Sequence, residues 1–96
     1  MARTPIHPGE ILADEMKELG VSAAELGRIL HLPSSRITQI LNGQRGVSAD
    51  TALRLGQWFG TGAEFWMNLQ KFYELRLAQY EIAEELAAIP RRSLAA

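Results

Sequence analysis

Residues 21–43 are VSAAELGRILHLPSSRITQILNG, and this stretch decides the fold. Two short amphipathic segments lie on either side of His31-Leu32-Pro33. The first begins with Ser22 followed three residues later by Glu25, a capping-box signature. Both segments place leucine or isoleucine at the spacings of one helix face, in the second at Ile37, Ile40 and Leu41. The pattern predicts two short helices joined by a tight turn of three or four residues.

The second of these helices is predicted to expose only small or polar side chains. Such a helix can enter the major groove of DNA, about 12 Å wide, while its partner braces it from outside. The side chains predicted to face base edges or nearby phosphates are Ser34, Ser35, Arg36, Thr38 and Gln39. Arginine pairs bidentately with guanine and glutamine with adenine. The loop that follows is expected to hold the sugar–phosphate backbone through Asn42, Gln44 and Arg45, with Arg45 on phosphate.

Helix signals also dominate outside this stretch. Pro8 opens a predicted helix over residues 8–19, and Ser48 caps another that runs to about residue 59. From residue 63 to residue 89 there is neither glycine nor proline, which predicts one long final helix. The chain is therefore expected to be a single all-α domain over residues 1–96, with five helices and a helix-turn-helix core over residues 8–60.

The final helix is rich in aromatic residues, and the four shorter helices before it cannot cover all of this aromatic surface. We expect Phe65 and Leu69 to close over Trp58 and Phe59, and the following aromatic surface to pair with a second copy of the chain. The residues assigned to this dimer interface are Phe72, Tyr73, Leu77 and Tyr80. A long helix is a suitable spacer for two recognition helices one DNA turn apart, about 34 Å.

Composition limits the remaining possibilities. The 96 residues include no cysteine, so disulfides and thiolate chemistry are excluded. The N-terminal residues lead into no apolar run of the signal-peptide type, and a soluble cytoplasmic protein is the default expectation. No apolar run approaches the roughly 18 residues of a membrane span. The net charge is −1, but residues 21–56 carry four arginines against two acidic residues. This local excess of arginine favours contact with nucleic acid.

The sequence gives little indication of a metal site or a catalytic site. His7 and His31 lack the helical spacing of a metal site, and His7 is placed at the entry to the first helix. Glu10, Asp14 and Glu18 share one helix face without a companion nucleophile, which indicates a solvated acidic surface rather than acid–base catalysis. We therefore expect no enzymatic activity, no cofactor and no metal. Arg28 and Arg54 are interpreted as surface or ion-pair residues.

The 21–43 stretch resembles the helix-turn-helix of the phage-repressor (Cro/C1, or Xre) proteins. Three further motifs resemble one branch of that family, the HigA antitoxins. They are HPGEIL at residues 7–12, NGQRGVSADTALRL at residues 42–55, and FGTGAEFWMNLQ at residues 59–70. The resemblance covers about residues 6–80. It departs from the repressor pattern at Ala23, where glutamine is usual, and at Pro33, where serine or threonine is usual.

This resemblance implies a specific function. HigA antitoxins bind and restrain HigB, a RelE-like ribonuclease toxin that cleaves messenger RNA, and as dimers they repress their own operon at a palindromic operator. Two other functions remain open at this stage. One is a stand-alone regulator without a toxin, and the other is a protein-interaction module that has lost DNA binding. Salt-dependent binding to the DNA upstream of the gene would exclude the second.

Overall fold

The computed structural model describes residues 4–93, and within them six helices and no strand. The helices are α1 (Pro8–Leu19), α2 (Ala23–Leu30), α3 (Ser34–Leu41), α4 (Ala49–Phe59), α5 (Ala63–Glu81) and α6 (Ala83–Ala88). The all-α, helix-turn-helix prediction is confirmed, and α1 to α4 lie where the sequence placed them. The count of five helices is wrong, because the final helix is interrupted.

Three of the first four helices begin at a side-chain cap. His7 caps α1 and Ser22 caps α2, and each forms a reciprocal capping box with the glutamate three residues later. Ser48 caps α4 by accepting the backbone N–H of Thr51. These caps satisfy amides that the helix itself leaves unpaired, and they fix where each helix starts.

The corner between α2 and α3 is set by close backbone packing. His31 ends α2 in the left-handed conformation, at φ 59°, which turns the chain back on itself. A Cβ atom on Gly27 would lie 2.7 Å from the Leu32 carbonyl oxygen and 3.2 Å from the Ser34 nitrogen. Glycine at position 27 therefore allows the start of α3 to lie directly on α2.

The core is formed by one apolar side of each of the first five helices. Its buried members include Leu12, Leu26, Ile37, Ile40, Leu55 and Trp66. Leu19, Ile29 and Leu53 are apolar but exposed to solvent. Ile29 and Leu53 line an open groove between α2 and α4.

Trp66 corrects the predicted packing between α4 and α5. Its side chain is fully buried and contacts Phe59 with ring centroids 5.5 Å apart. Phe65 and Trp58, which were expected to form that contact, are both about 40% exposed (40% and 38%). Neighbouring side chains on a helix point about 100° apart, so the rotation of α5 against α4 decides which of the two aromatic residues is buried.

The long final helix predicted over residues 63–89 is not continuous. Helix α5 ends at Glu81, Ile82 departs from helical geometry (φ −115°, ψ 24°), and α6 follows. None of the residues in α6 is buried, so no tertiary contact stabilises a straight continuation. The β-branched Ile82 is a weaker helix former than its neighbours, which favours a break at this position.

Candidate nucleic-acid interface

Helix α3 divides cleanly into a buried and an outward side. Ile37 and Ile40 have no exposed surface. The outward side carries the residues predicted to contact DNA: Ser34, Ser35 and Thr38 are exposed, and Arg36 and Gln39 are half-buried. Asn42, Gln44 and Arg45 are exposed in the following loop. The structure thus brings all eight candidate residues onto one helix and its adjoining loop.

The N-terminal end of α3 differs from those of α1, α2 and α4. Its N-cap is Pro33, which offers no side-chain hydrogen bond. The first internal bond runs from the Arg36 N–H to the Pro33 carbonyl, at 3.0 Å. The amides before it and the positive end of the helix dipole are therefore available to an anion such as a DNA phosphate.

Gln39 and Arg45 form a pair across the end of α3. The Arg45 Nε donates to the Gln39 Oε1 at 2.9 Å. This bond leaves the amide group of Gln39 free to donate, and the remaining guanidinium N–H groups of Arg45 can still bind a phosphate. The sequence placed both residues at the interface but did not indicate that they contact each other.

The arginines of the central region have different environments. Arg54 binds Asp50 at 2.7 Å and also donates to the Leu30 carbonyl at 2.8 Å, so its role is to join α4 to the end of α2. Its hydrogen bond lowers the pKa of Asp50, and the positive charges of Arg54 and Arg36 lower it further. The ion-pair interpretation of Arg54 is confirmed, whereas Arg36 makes no such carbonyl contacts among the described residues.

His7 links the start of α1 to the loop that carries Arg45. Its Nδ1 accepts the Gly9 N–H at 2.9 Å, and the ring also hydrogen-bonds the Arg45 backbone. Burial lowers the pKa of His7, opposed by the Arg45 bond and by the charge of Glu10. The expected position of His7 at the helix entry is confirmed, but its contact with the loop could not be predicted from the sequence.

The four residues assigned to a dimer interface lie along α5. Phe72 is 63% exposed and Tyr80 is also exposed, while Tyr73 and Leu77 are half-buried. Tyr73 packs edge-on against the His7 ring, with centroids 4.8 Å apart, so part of its surface is already used within the chain. A groove of about 320 Å³ between residues 4–6 and α5 is lined by Ile6, Ile11, Leu69, Phe72 and Tyr73.

Within residues 4–93, no three histidine or carboxylate side chains lie close enough together to hold a metal ion. No helix in the same range is both long and apolar enough to cross a membrane. Glu10, Asp14 and Glu18 are solvent-exposed, as the acidic-surface interpretation requires.

Comparison with known proteins agrees with this geometry. The helix-turn-helix family matches residues 12–66. Virulence-associated protein I of Dichelobacter nodosus is 49% identical over 77 residues, which cover 79% of this chain and 71% of that protein. An addiction module antidote protein of the HigA family from Coxiella burnetii is 44% identical and superimposes with a TM-score of 0.90, covering 95% of this chain and 100% of that one.

A second similar structure is the Pseudomonas aeruginosa antitoxin HigA with the higBA promoter. It is 44% identical, with a TM-score of 0.87 over 93% of this chain and 99% of that one. Both solved structures are 44% identical to this chain and match more than nine tenths of it. The chain belongs to the HigA family of helix-turn-helix proteins.

Proposed function

We propose that this protein is an operator-binding antitoxin that acts as a homodimer, represses its own operon and neutralises a RelE-like ribonuclease toxin of the HigB type. The observation that carries the DNA-binding part is the outward side of α3. Five small or polar side chains lie there between residues 34 and 39, on a helix whose Ile37 and Ile40 are fully buried. That surface fits the major groove of double-stranded DNA.

Each candidate residue has a proposed role. Arg36 and Gln39 contact base edges, while Ser34, Ser35 and Thr38 allow the close approach of the helix to the groove. Asn42, Gln44 and Arg45 bind the sugar–phosphate backbone. Support comes from the exposure of the three loop residues after the C-terminal end of α3 and from the uncapped N-terminus at its other end. The Pseudomonas aeruginosa relative was solved with promoter DNA, which also supports DNA as the binding partner.

The proposed dimer uses Phe72, Tyr73, Leu77 and Tyr80 on α5. Two copies related by a two-fold axis would place two α3 helices on the same side, which suits a palindromic operator. The exposed phenylalanine and the groove beside it provide the apolar surface that a symmetric contact requires.

Toxin neutralisation rests on family membership. The similar chain from Coxiella burnetii is described as an addiction module antidote, and an antidote requires a toxin partner. The exposed carboxylates Glu10, Asp14 and Glu18 on α1 form an acidic surface, which is complementary to a basic ribonuclease.

A DNA titration tests the first part of the proposal. The duplex is the region upstream of the gene, labelled for fluorescence anisotropy, and a shuffled duplex of equal length is the control. We expect tight, salt-dependent binding to the first and weaker binding by at least a hundredfold to the second. Equal affinity for both duplexes at all salt concentrations would contradict operator recognition.

Co-expression tests the antidote part. The adjacent reading frame is induced with and without this chain, and growth and co-purification are measured. Rescue of growth together with a stable complex is the expected result. A neighbouring product that is neither toxic nor bound, combined with normal operator binding, would identify a stand-alone regulator instead.

A further inference from the structure

The loop between α3 and α4, residues 42–48, is held partly by a residue outside the helix-turn-helix. Its first part is bonded locally, because the Gln44 N–H donates to the Gln39 carbonyl at 2.9 Å. Its second part has a distant partner: the Val47 N–H donates to the side-chain Oε1 of Gln70 on α5, at 2.7 Å. Twenty-three positions of sequence separate these two residues.

Gln70 is buried and its amide has a fixed orientation. Only 7% of the residue is exposed. Its Nε2 donates to the Glu74 Oε2 at 2.9 Å, which leaves Oε1 directed at Val47. Glu74 is in turn bound by Lys71 at 3.3 Å. A buried amide that is hydrogen-bonded at both its oxygen and its nitrogen holds its partner backbone in one position, since breaking the bond to Val47 would leave a buried N–H without an acceptor.

Gly46 lets the loop lie directly on that amide. A Cβ atom at position 46 would come within 2.7 Å of the Gln70 Nε2 and 2.9 Å of its Oε1. The loop backbone therefore contacts the amide face with no side chain between them. One residue earlier stands Arg45, whose guanidinium already contacts Gln39 and whose backbone hydrogen-bonds His7.

We infer that Gln70 is a positioning residue for DNA binding, which fixes the loop so that Arg45 presents its guanidinium to the phosphate backbone. The inference rests on the proposed operator binding and extends it to a residue on α5. Gln70 itself does not touch DNA in this scheme. It acts through Val47, and it joins the α5 region to the DNA-contacting surface by one buried hydrogen bond.

Gln70→Leu tests the inference, because leucine keeps the volume and removes the acceptor. We expect operator affinity about tenfold weaker, and a plot of log affinity against log salt whose slope is smaller by about 1, as for loss of one phosphate contact. In the Arg45→Ala background the same change should have no further effect, since the contact it positions is already absent. Gln57→Leu, at an exposed position of α4, is the matched control and should leave affinity and slope unchanged.

Gly46→Ala perturbs the same contact from the loop side and covers the case in which Gln70→Leu does not fold. It should reproduce the lower salt slope. In the free protein, amide hydrogen exchange at Val47 should become at least tenfold faster in either variant, because that N–H loses its buried acceptor.

The outcomes separate the two proposals. Wild-type protein that does not bind the operator overturns operator binding and with it this inference. Wild-type binding with unchanged affinity and salt slope in the folded Gln70→Leu or Gly46→Ala variant overturns the inference alone. Additive losses for Gln70→Leu and Arg45→Ala would also overturn it, because they would show that Gln70 acts independently of Arg45.

Discussion

Helix α3 covers its apolar side chains within the chain, whereas the segment from the middle of α5 to residue 89 leaves many of its apolar side chains exposed. In α3 every large apolar side chain is at least partly covered, and the small or polar ones face outward. In the later segment Phe72, Leu75, Ile82, Leu86 and Ile89 are all exposed large hydrophobic residues. The first region satisfies its amphipathic pattern within one chain, and the second does not.

This difference indicates how the two regions are to be interpreted. A polar face left open over a fully packed core is suited to a polar partner such as DNA. An apolar face left open is suited to an apolar partner, for which a second copy of the chain is the proposal made above. Variants in each region therefore test the partner proposed for it.

The largest expected effect is on the dimer. Phe72→Asp would place an unpaired carboxylate at the proposed two-fold contact, which costs about 4 kcal/mol, or roughly a thousandfold in dimer dissociation. Light scattering across a concentration series measures the change. Phe72 is a cleaner probe than Tyr73, because the Tyr73 ring also packs against His7 within the chain.

Leu53→Asp is the matched control for that variant. Leu53 on α4 is 64% exposed, almost the same fraction as Phe72, but lies outside the proposed interface. We expect it to remain dimeric. A monomeric Leu53→Asp together with a dimeric Phe72→Asp would move the interface from α5 to α4.

The next effect concerns the packed side of α3. Ile37→Ala removes a fully buried side chain, and we expect the free energy of unfolding to fall by about 3 kcal/mol. Leu75→Ala, at a position of α5 that is 57% exposed, should change it by less than about 0.5 kcal/mol in the monomer. Urea denaturation of both variants, at concentrations below dimer formation, makes the comparison. Similar losses in the two variants would contradict the contrast drawn between the regions.

A smaller effect is expected on the open side of α3. Arg36→Ala should weaken operator binding by about 1–3 kcal/mol and relax the preference at one base position, because a bidentate contact to guanine would be lost. Arg91→Ala removes the same charge from an exposed position beyond α6 and serves as the control. A gel-shift series with single-base operator variants measures both. Unchanged affinity in Arg36→Ala would remove this residue from the base-contacting set.

The smallest effect is the pH dependence of stability. Because burial lowers the pKa of His7 in the folded protein, the unfolded chain binds the proton more readily. Stability is therefore complete above the ordinary histidine pKa of about 6.5 and declines as the pH falls from there toward the lower folded-state pKa. Protonation of Nδ1 would also remove the cap that accepts the Gly9 N–H.

His7→Asn supplies a cap that does not titrate, so its melting temperature should not decline in that pH window. Thermal melts of both proteins at several pH values between about 5 and 8 make the test. The carboxyl groups of Glu25, Asp50 and Glu74 have lowered pKa values and lose their contributions only at more acidic pH. A parallel decline in His7→Asn would assign the effect to another group.

Much of the fold was available from the sequence because it depends on local signals. Ser22 with Glu25, Pro8, and Ser48 marked helix starts that the structure confirms, since a cap bonds amides only two or three residues away. The outward residues of α3 followed from helical periodicity alone. Their proposed contacts with DNA remain predictions.

The errors concern features without a local signal. The break at Ile82 has no glycine or proline to mark it, and it depends on the absence of packing around α6. The preference for Trp66 over Phe65 as the buried aromatic depends on how α5 rotates against α4.

The amino-acid sequence by itself determined where the first four helices start and end and which side of α3 is polar, because caps and periodicity act over one or two helical turns. The tertiary structure alone decided that Gln70 holds Val47, that His7 meets Arg45, and that Trp66 fills the core. These contacts join parts of the chain that are distant in sequence. They form only when whole helices pack, and their geometry is set by close packing and by hydrogen bonds to buried polar groups such as the Gln70 amide.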